Sequence, residues 1–332
     1  MAHRELAILI KGIRHVDEGL AFAAIFDKLV AYGTAVASNE HASSESLLFE
    51  LFGLETGAQN DVPVAAVTRL LDLGVVDKSW WMRADPVHLV AGQQGLIMLA
   101  HQELELNAVE AESLAGEVTQ ALAEEGWTLK VPNPHRWYLK PANIPEITTT
   151  PLDVVMGRDV HRYLPTGEDA RNWHTLLNEI QILLHTSQIN LERETAGKLS
   201  ANSVWFWGGG SLPQLKDASW TALWSDDVVA LALSRLSDTP HHKFPANPED
   251  WNRDAVEGNH LLVIDWDRFT HSADELDRKW GEWLIAALKN SDVDKVTVYL
   301  GSEKAVVIQP ADIKKRWSWR FPFSRASSNE TK

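Results

Sequence analysis

The chain contains no cysteine, and this absence excludes several kinds of chemistry at once. Without thiols there can be no disulfide framework, no thiolate zinc site and no cysteine nucleophile. A chain without cysteine is compatible with a reducing compartment, and we expect the protein to be cytoplasmic.

Basic residues are scarce as well: 31 Lys and Arg stand against 46 Asp and Glu, so the formal net charge is −15. Proteins that bind nucleic acids or anionic membranes neutralise phosphates with clustered Lys and Arg. The sequence therefore predicts that neither is a partner. The local basic cluster at Lys314, Lys315 and Arg316 lies near the C-terminal end, where a solvated end segment explains it.

Long apolar runs are also missing. No run approaches the ~18–20 residues that a membrane-spanning helix needs. The short apolar run at residues 6–10 is preceded by Glu5 and followed by Lys11, which is unlike a secretory signal. We expect neither a membrane span nor a signal peptide.

Tryptophan, in contrast, is abundant: 15 Trp stand beside 9 Phe and 4 Tyr. A tryptophan combines a large apolar body with one N–H donor, so it suits half-buried seams. Hydrophobic residues make up 45% and charged residues 23% of 332 residues. These values are typical of one large or two medium folded domains.

Apolar strands alternate with amphipathic helices along the chain, which predicts an α/β fold in which the first and last thirds pack together. In the middle, a β-α-β-β-α order over about a hundred residues predicts a compact α+β unit of split-βαβ type. The predicted strands are 6–10, 94–100, 127–131, 135–139, 203–207, 259–266, 293–299 and 305–308. The predicted helices are 18–32, 46–52, 64–73, 107–125, 169–188, 226–236 and 273–290.

This pattern divides the chain into four parts. Residues 1–80 are predicted to form the first part of an α/β core, and residues 196–320 its second part. Residues 81–195 form the inserted α+β subdomain, and residues 321–332 a disordered tail.

The helix at 169–188 carries an uncharged polar stripe made of His174, Asn178, Gln181, His185 and Gln188. A merely solvated face normally carries charged residues, so two interpretations remain. The stripe is a polar wall that faces a ligand, or its amides are buried and connect loops.

The segment after this helix holds the parts of an anion pocket: Asn190, Arg193, Asn202 and the triplet Gly208, Gly209 and Gly210. Glycines let backbone N–H groups converge on an oxyanion, and an arginine can bind it with two hydrogen bonds. We predict that these residues converge, with Asn178, Gln181 and His185 contributed by the preceding helix.

The competing interpretation gives Arg193 a structural role. In that case it pairs with Glu192, Glu194 or Glu179 and contributes only to stability.

Asp85 and His88 lie three residues apart in a run that also contains two tryptophans. A carboxylate and an imidazole at this spacing can form a general-base pair. A structural hydrogen bond at the entrance of a strand is the alternative, and we predict that the two residues organise the α+β unit rather than perform chemistry.

Several of these segments resemble the RpfE-type bacterial regulatory proteins. The matching segments cover roughly residues 65–215 in order, and they are residues 85–89, 136–139, 157–160, 164–167, 178–185 and 190–210.

That family is in turn remotely similar to the archaeal-type cofactor-independent phosphoglycerate mutases of the alkaline-phosphatase superfamily. The resemblance implies an alkaline-phosphatase-like α/β layer with an inserted α+β subdomain. The shared pattern consists of Asn190, Arg193, Gly197, Ala201, Asn202, Gly208 and Gly210.

The departures from that pattern concern catalysis. The resemblance implies an early Asp-Gly-x-x-Asp metal motif, a serine nucleophile and a late Asp-His pair. Here the first strand continues into Lys11-Gly12-Ile13-Arg14, and residues 298–302 contain no Asp-His. Asp267 and His271 keep the spacing of one metal site, but two ligands cannot hold a two-metal site, and short motifs match by accident.

The sequence thus predicts a degenerate, non-catalytic relative that needs no metal or other cofactor. The resemblance implies a regulatory protein that binds a small anionic or phosphorylated metabolite, or a protein partner. A working metal-dependent mutase or phosphatase is the first alternative, and a structural or assembly module is the second.

Overall fold

A computed structural model describes residues 3–12, 29–36, 43–54, 61–92, 95–99, 101–122, 126–216, 219–265, 277–300 and 304–318. The chain divides into two compact units. Unit 1 comprises residues 1–40, 219–227 and 240–332, and unit 2 comprises residues 41–218 and 228–239.

Unit 1 is built on a seven-stranded sheet. Its first five strands in spatial order are parallel to one another, and the last two are antiparallel to their neighbours. The strands in spatial order are β12 (His241–His242), β11 (Ala222–Trp224), β13 (Gly258–Asp265), β1 (Arg4–Lys11), β14 (Lys295–Leu300), β15 (Lys304–Ile308) and β2 (Thr34–Val36).

The centre of this sheet confirms the predicted α/β class. Strand β1 is buried from Leu6 to Lys11, and its run of aliphatic residues is typical of a parallel strand that is covered on both faces. It pairs with β13 on one side and with β14 on the other. The first and last thirds of the chain therefore pack together as predicted.

The described helices of unit 1 include α8 (Pro248–Asp254), α9 (Glu282–Asn290), which follows a π-helical turn at Asp277–Gly281, and α10 (Pro310–Ser318). Tryptophans connect these elements to the sheet. Trp251 packs edge-on against Trp224 and Trp283, with ring centroids 6.4 and 5.4 Å away. The abundant tryptophan thus forms part of the core of this unit.

Unit 2 contains a four-stranded antiparallel sheet in the order β10 (Ser203–Gly210), β3 (Trp81–Val87), β7 (Arg136–Lys140) and β6 (Thr128–Asn133). Strands β3 and β6 are parallel to each other and are separated by the antiparallel strand β7. The helix α3 (Ala108–Leu122) lies between them in the chain, and α5 (Ala170–Thr186) lies between β7 and β10. This is the predicted split-βαβ arrangement.

The first strand of that arrangement was predicted wrongly. It is β3, not residues 94–100, of which only β5 (Leu96–Met98) is a strand and pairs with β4 (Leu89–Ala91) outside the main sheet. The cause is the polar sequence Arg83-Ala84-Asp85-Pro86, which does not read as a buried strand although all of β3 is buried.

The two faces of this sheet differ. One face carries apolar side chains that pack against α3 and α5 in a single core. The other face carries Trp81, Arg83, Asp85 and Tyr138, and it is covered by α2 (Val64–Leu73). Helix α2 ends at Gly74 in a left-handed conformation, as its sequence predicts.

The remaining elements of unit 2 are short. They are α1 (Ser44–Leu51), β8 (Ile147–Thr148), α4 (Leu152–Val155), β9 (Thr166–Gly167), α6 (Gln188–Thr195) and α7 (Val228–Leu236), with 3-10 turns at His101–Leu104 and Val160–Arg162.

The unit boundaries differ from the predicted domain boundaries. Unit 2 begins before α1 and α2 and extends through β10, whereas the predicted insertion spans 81–195. Strand β10 pairs with β3, and α2 packs on the same sheet, so these elements belong to unit 2. The tail predicted at 321–332 and most of the helix predicted at 18–32 lie outside the described residues.

Candidate functional site

Arg193, which was predicted to lie in an anion pocket, binds groups of this chain. Its side chain is 2% exposed and pairs with the Glu110 carboxylate. Its Nε and Nη2 donate to the Leu199 carbonyl at 3.0 and 2.8 Å, and Nη2 also donates to the Leu104 carbonyl. A carboxylate pair is what the alternative interpretation predicted, although the acid is Glu110 rather than Glu179, Glu192 or Glu194.

The two asparagines of the predicted pocket bind backbone. Asn190 is buried, donates to the carbonyls of Leu184 and Ala201, and accepts from the Ala201 N–H. Asn202 forms two hydrogen bonds with the backbone of Leu89, at 2.8 and 2.9 Å. Both amides connect loops to neighbouring strands and helices, so their polar groups are already used inside the protein.

The polar stripe of α5 divides into two kinds of residue. His174 Nε2 lies 2.8 Å from the Pro165 carbonyl in a loop, and Gln181 donates to the hydroxyl of Ser203 at the start of β10, so both side chains bind groups of this chain. Asn178 and His185 are exposed, and Gln188, just beyond the helix, bonds to Glu192. The structure therefore favours the interpretation in which the partly buried side chains support loops.

The glycine triplet at the end of β10 is required for packing. A Cβ at Gly208 would lie 2.9 Å from the Cβ of Val64, and one at Gly209 would lie 2.5 Å from the Trp80 ring. Gly208 also has a positive φ of 65°. Gly208 lets β10 approach the start of α2, and Gly209 lets it approach the Trp80 ring.

Asp61 lies where the end of β10 contacts the start of α2, and the sequence alone did not point to it. Its carboxylate accepts hydrogen bonds from the Gly208 N–H at 3.0 Å and from the N–H and hydroxyl of Thr149. Burial raises the pKa of this carboxyl group to about 6, against the opposing effect of these hydrogen bonds. The glycine triplet therefore faces an acid of this chain.

Asp85 lies at the centre of a buried polar layer under α2. It pairs with Arg83 and accepts hydrogen bonds from the Trp137 N–H and the Trp207 indole N–H. Burial raises the pKa of Asp85, while the charge of Arg83 opposes this shift. His88 binds elsewhere, with its Nδ1 2.6 Å from the Ser200 carbonyl.

A second ion pair completes this polar layer, and no local sequence motif predicts it. Asp72 on α2 accepts two hydrogen bonds from Arg136 and one from the Tyr138 hydroxyl. Burial alone would raise the pKa of Asp72, but the bonds from Arg136 and Tyr138 outweigh it and hold the pKa below its usual range. Asp72 lies on α2 and its two partners lie on β7, more than 60 residues later, so only the tertiary structure joins them.

The carboxyl ends of the parallel strands in unit 1 form a second candidate site. Lys11, the last residue of β1, places its Nζ 2.7 Å from Asp227, and both side chains are about nine-tenths buried. The Asp227 N–H donates to the Ser225 hydroxyl just beyond β11, and Asp265 ends the neighbouring strand in register with Lys11. Ligands of open α/β sheets bind at this kind of edge.

Within the described ranges, no group of three or more His, Asp or Glu side chains could hold a metal ion. Asp267 and His271, the pair with the spacing of a metal site, lie outside those ranges. The described helices include none with the length and apolarity needed to cross a membrane.

No protein-family model matches the chain. A stretch of 69 residues is 35% identical to the 2,3-bisphosphoglycerate-independent phosphoglycerate mutase of Methanosarcina mazei, and this match covers 21% of the chain and 17% of that protein. A probable enzyme of the same name from Geobacter sulfurreducens is 33% identical over 69 residues. The chain thus has local similarity to these mutases. The match spans about a sixth of their length.

Two solved structures are similar over most of the chain. The cofactor-independent phosphoglycerate mutase of Thermoplasma acidophilum aligns with 92% of this chain and 90% of its own, at 16% identity and a TM-score of 0.41. The PH0037 protein of Pyrococcus horikoshii aligns with 92% of this chain and 87% of its own, at 13% identity and a TM-score of 0.47.

Proposed function

We propose that the protein is a non-catalytic, phosphoglycerate-mutase-like regulatory protein that binds a small anionic or phosphorylated metabolite. Its place among RpfE-type regulatory proteins is part of the same proposal. The supporting observation is the Lys11–Asp227 ion pair at the carboxyl ends of the parallel strands.

The position of Lys11 is what opposes metal-dependent catalysis. The resemblance to the mutases implies metal-binding carboxylates immediately after the first strand, and this chain has a buried ammonium group there. An ammonium repels a divalent cation over the few ångströms of a metal site, and it already neutralises the nearby Asp227. An anionic ligand at this edge would have to compete with Asp227 for the ammonium group.

Metal content and turnover test the catalytic part of the proposal. We expect purified protein to contain less than stoichiometric manganese or zinc and to leave 3-phosphoglycerate unchanged when Mn²⁺ is added. Two equivalents of bound metal with turnover of ~1 s⁻¹ or more would establish the mutase alternative, which the local identity to mutases supports.

A thermal-shift series tests the binding part. Phosphorylated metabolites, 3-phosphoglycerate among them, should raise the melting temperature of the wild type but not of Lys11→Met. Lys130→Met is the matched control, because Lys130 is an exposed lysine on β6. If no phosphorylated compound shifts the melting temperature of the wild type, the structural or assembly role is the better account.

A further inference from the structure

An open cavity of about 660 Å³ lies in unit 2, and none of the residues that line it was predicted above to bind a ligand. One wall is the segment Pro141–Pro145, which follows β7, and the other is the first three turns of α5. Its volume falls within the range of pockets that hold small organic molecules.

The floor of the cavity is aromatic. Trp127 stacks on Trp173 with ring centroids 4.9 Å apart and an interplanar angle of 29°, and Trp173 meets Phe206 edge-on. Trp173 is buried, whereas Trp127 is half-buried, so part of the Trp127 indole is accessible from the cavity. The stack on a buried neighbour holds this ring in place.

One wall adds rigid apolar surface. Pro141 and Pro145 restrict the backbone of this segment, and Ile144 between them is 68% exposed. A large aliphatic side chain held in the open beside an indole favours a ligand with a flat or apolar body.

The other wall is acidic. Helix α5 lines the cavity with Asp169, Asn172, Thr175 and Glu179, and the cavity lining contains no Lys or Arg. Asp169 accepts a hydrogen bond from the Glu146 N–H at 2.8 Å. Glu179 is exposed and has no hydrogen bond or ion pair with any described residue, so its carboxylate is available to a ligand.

We propose that this cavity binds a small organic cation, in which an amine or guanidinium group is attached to a flat apolar body. The negative face of the Trp127 indole attracts a cation, and the Glu179 carboxylate neutralises it. The net charge of −15 raises the local concentration of cations and opposes anions. This site is independent of the function proposed above, because it uses none of the same residues and requires a ligand of opposite charge.

Calorimetric titration with phenethylamine tests the proposal, and 2-phenylethanol is the matched neutral ligand. We expect one site per chain with a dissociation constant of about 1–5 mM for the amine, which is the range of a fragment-sized ligand. The alcohol should bind at least about threefold more weakly, and higher salt should weaken only the amine.

Variants separate this site from nonspecific attraction to an acidic protein. Glu179→Gln should weaken phenethylamine about three- to tenfold and leave 2-phenylethanol unchanged. Glu194→Gln, an exposed glutamate on α6, is the matched control and should change neither. Trp127→Leu keeps an apolar side chain on Trp173 and should weaken the amine by a similar factor.

Three results would overturn the proposal. They are the absence of saturable binding of phenethylamine, equal binding of the amine and the alcohol, and equal weakening by Glu179→Gln and Glu194→Gln. Because Glu179 is exposed and unpaired among the described residues, its variant is expected to fold, and the test does not depend on the stability of Trp127→Leu.

Discussion

Arg193 makes four hydrogen bonds inside the protein, to one carboxylate and two backbone carbonyls. A guanidinium has five N–H donors, so little capacity is left for a ligand. Its partners come from α3, from the turn before α3 and from the loop before β10. The side chain therefore holds three separate parts of unit 2 together.

Replacing Arg193 by Met should lower the free energy of unfolding by about 2–4 kcal/mol. The substitution leaves Glu110 and the carbonyls of Leu104 and Leu199 without their main donor. Chemical denaturation measures the loss, and Arg171→Met, an exposed arginine on α5, should change stability by less than about 0.5 kcal/mol. Equal stability of Arg193→Met and the wild type would contradict this account.

Asp61 should make the stability depend on pH in the acid range. Its pKa is about 6 in the folded protein and 3.8 in the unfolded chain, so the folded protein binds the proton more tightly. The stabilisation that the folded protein gains from binding this proton more tightly is fully present below pH 3.8 and is lost as the pH rises through 6. For a partly buried group, this pKa shift changes the free energy of unfolding by about 1–3 kcal/mol.

The measurement compares urea denaturation of the wild type and Asp61→Asn between pH 4 and 7. The difference in unfolding free energy between the two proteins should change over this interval in favour of the variant as the pH rises. A constant difference would show that the Asp61 carboxyl group does not titrate there.

At the scale of elements, the end of β10 and the start of α2 are in direct contact through glycine. Gly208 and Gly197 have similar positive φ angles, 65° and 74°, but only Gly208 has a neighbour where a Cβ would be. Substitutions at the two glycines therefore distinguish the cost of backbone strain, which both share, from the cost of steric overlap, which only Gly208 has.

Gly208→Ala should destabilise the protein by about 1–3 kcal/mol more than Gly197→Ala. Both variants suffer the cost of a left-handed alanine, about 1–2 kcal/mol, and only the former also displaces Val64. Thermal or urea denaturation measures the difference. If the two variants lose the same stability, β10 and α2 can separate without cost, and the packing explanation for the triplet is wrong.

The polar layer between α2 and the four-stranded sheet shows why β3 was missed. A buried strand with Arg and Asp in its centre is stable only because Arg83 and Asp85 pair with each other and Asp85 accepts two further hydrogen bonds. Trp137 lies 52 residues away and Trp207 122 residues away. No local pattern contains these partners.

At the scale of the whole molecule, the central strand of unit 1 depends on distant parts of the chain. Strand β1 pairs with β13 and β14, which begin more than 250 residues later. Contacts at such separation form slowly, because a long loop must close before any pairing is gained.

We therefore expect the amides of β1 to become protected from hydrogen exchange later during refolding than those of the β6–β7 hairpin. The hairpin strands are joined by two residues and pair locally. Pulse-labelled exchange followed by mass spectrometry measures both segments in one experiment. Protection of residues 5–10 before residues 128–140 would contradict this order.

The sequence by itself determined the elements whose information is local. The apolar period and Gly74 define α2 at the predicted residues, and the aliphatic run defines β1. The segment Pro132-Asn133-Pro134 separates the predicted strands 127–131 and 135–139, which form the β6–β7 hairpin. These features depend on side-chain periodicity and on backbone preferences within a few residues, and both are visible in a single chain.

Only the tertiary structure decided what the polar residues do. Arg193, Asn190 and Asn202 suit an anion pocket by type, but their nearest partners are Glu110 and backbone groups from other elements. Conversely, Asp61 and the acidic cavity beside Trp127 have no motif and arise where separate segments meet. The physical reason is that a buried polar group takes whatever partner the fold brings to it, and that partner lies far away in the chain.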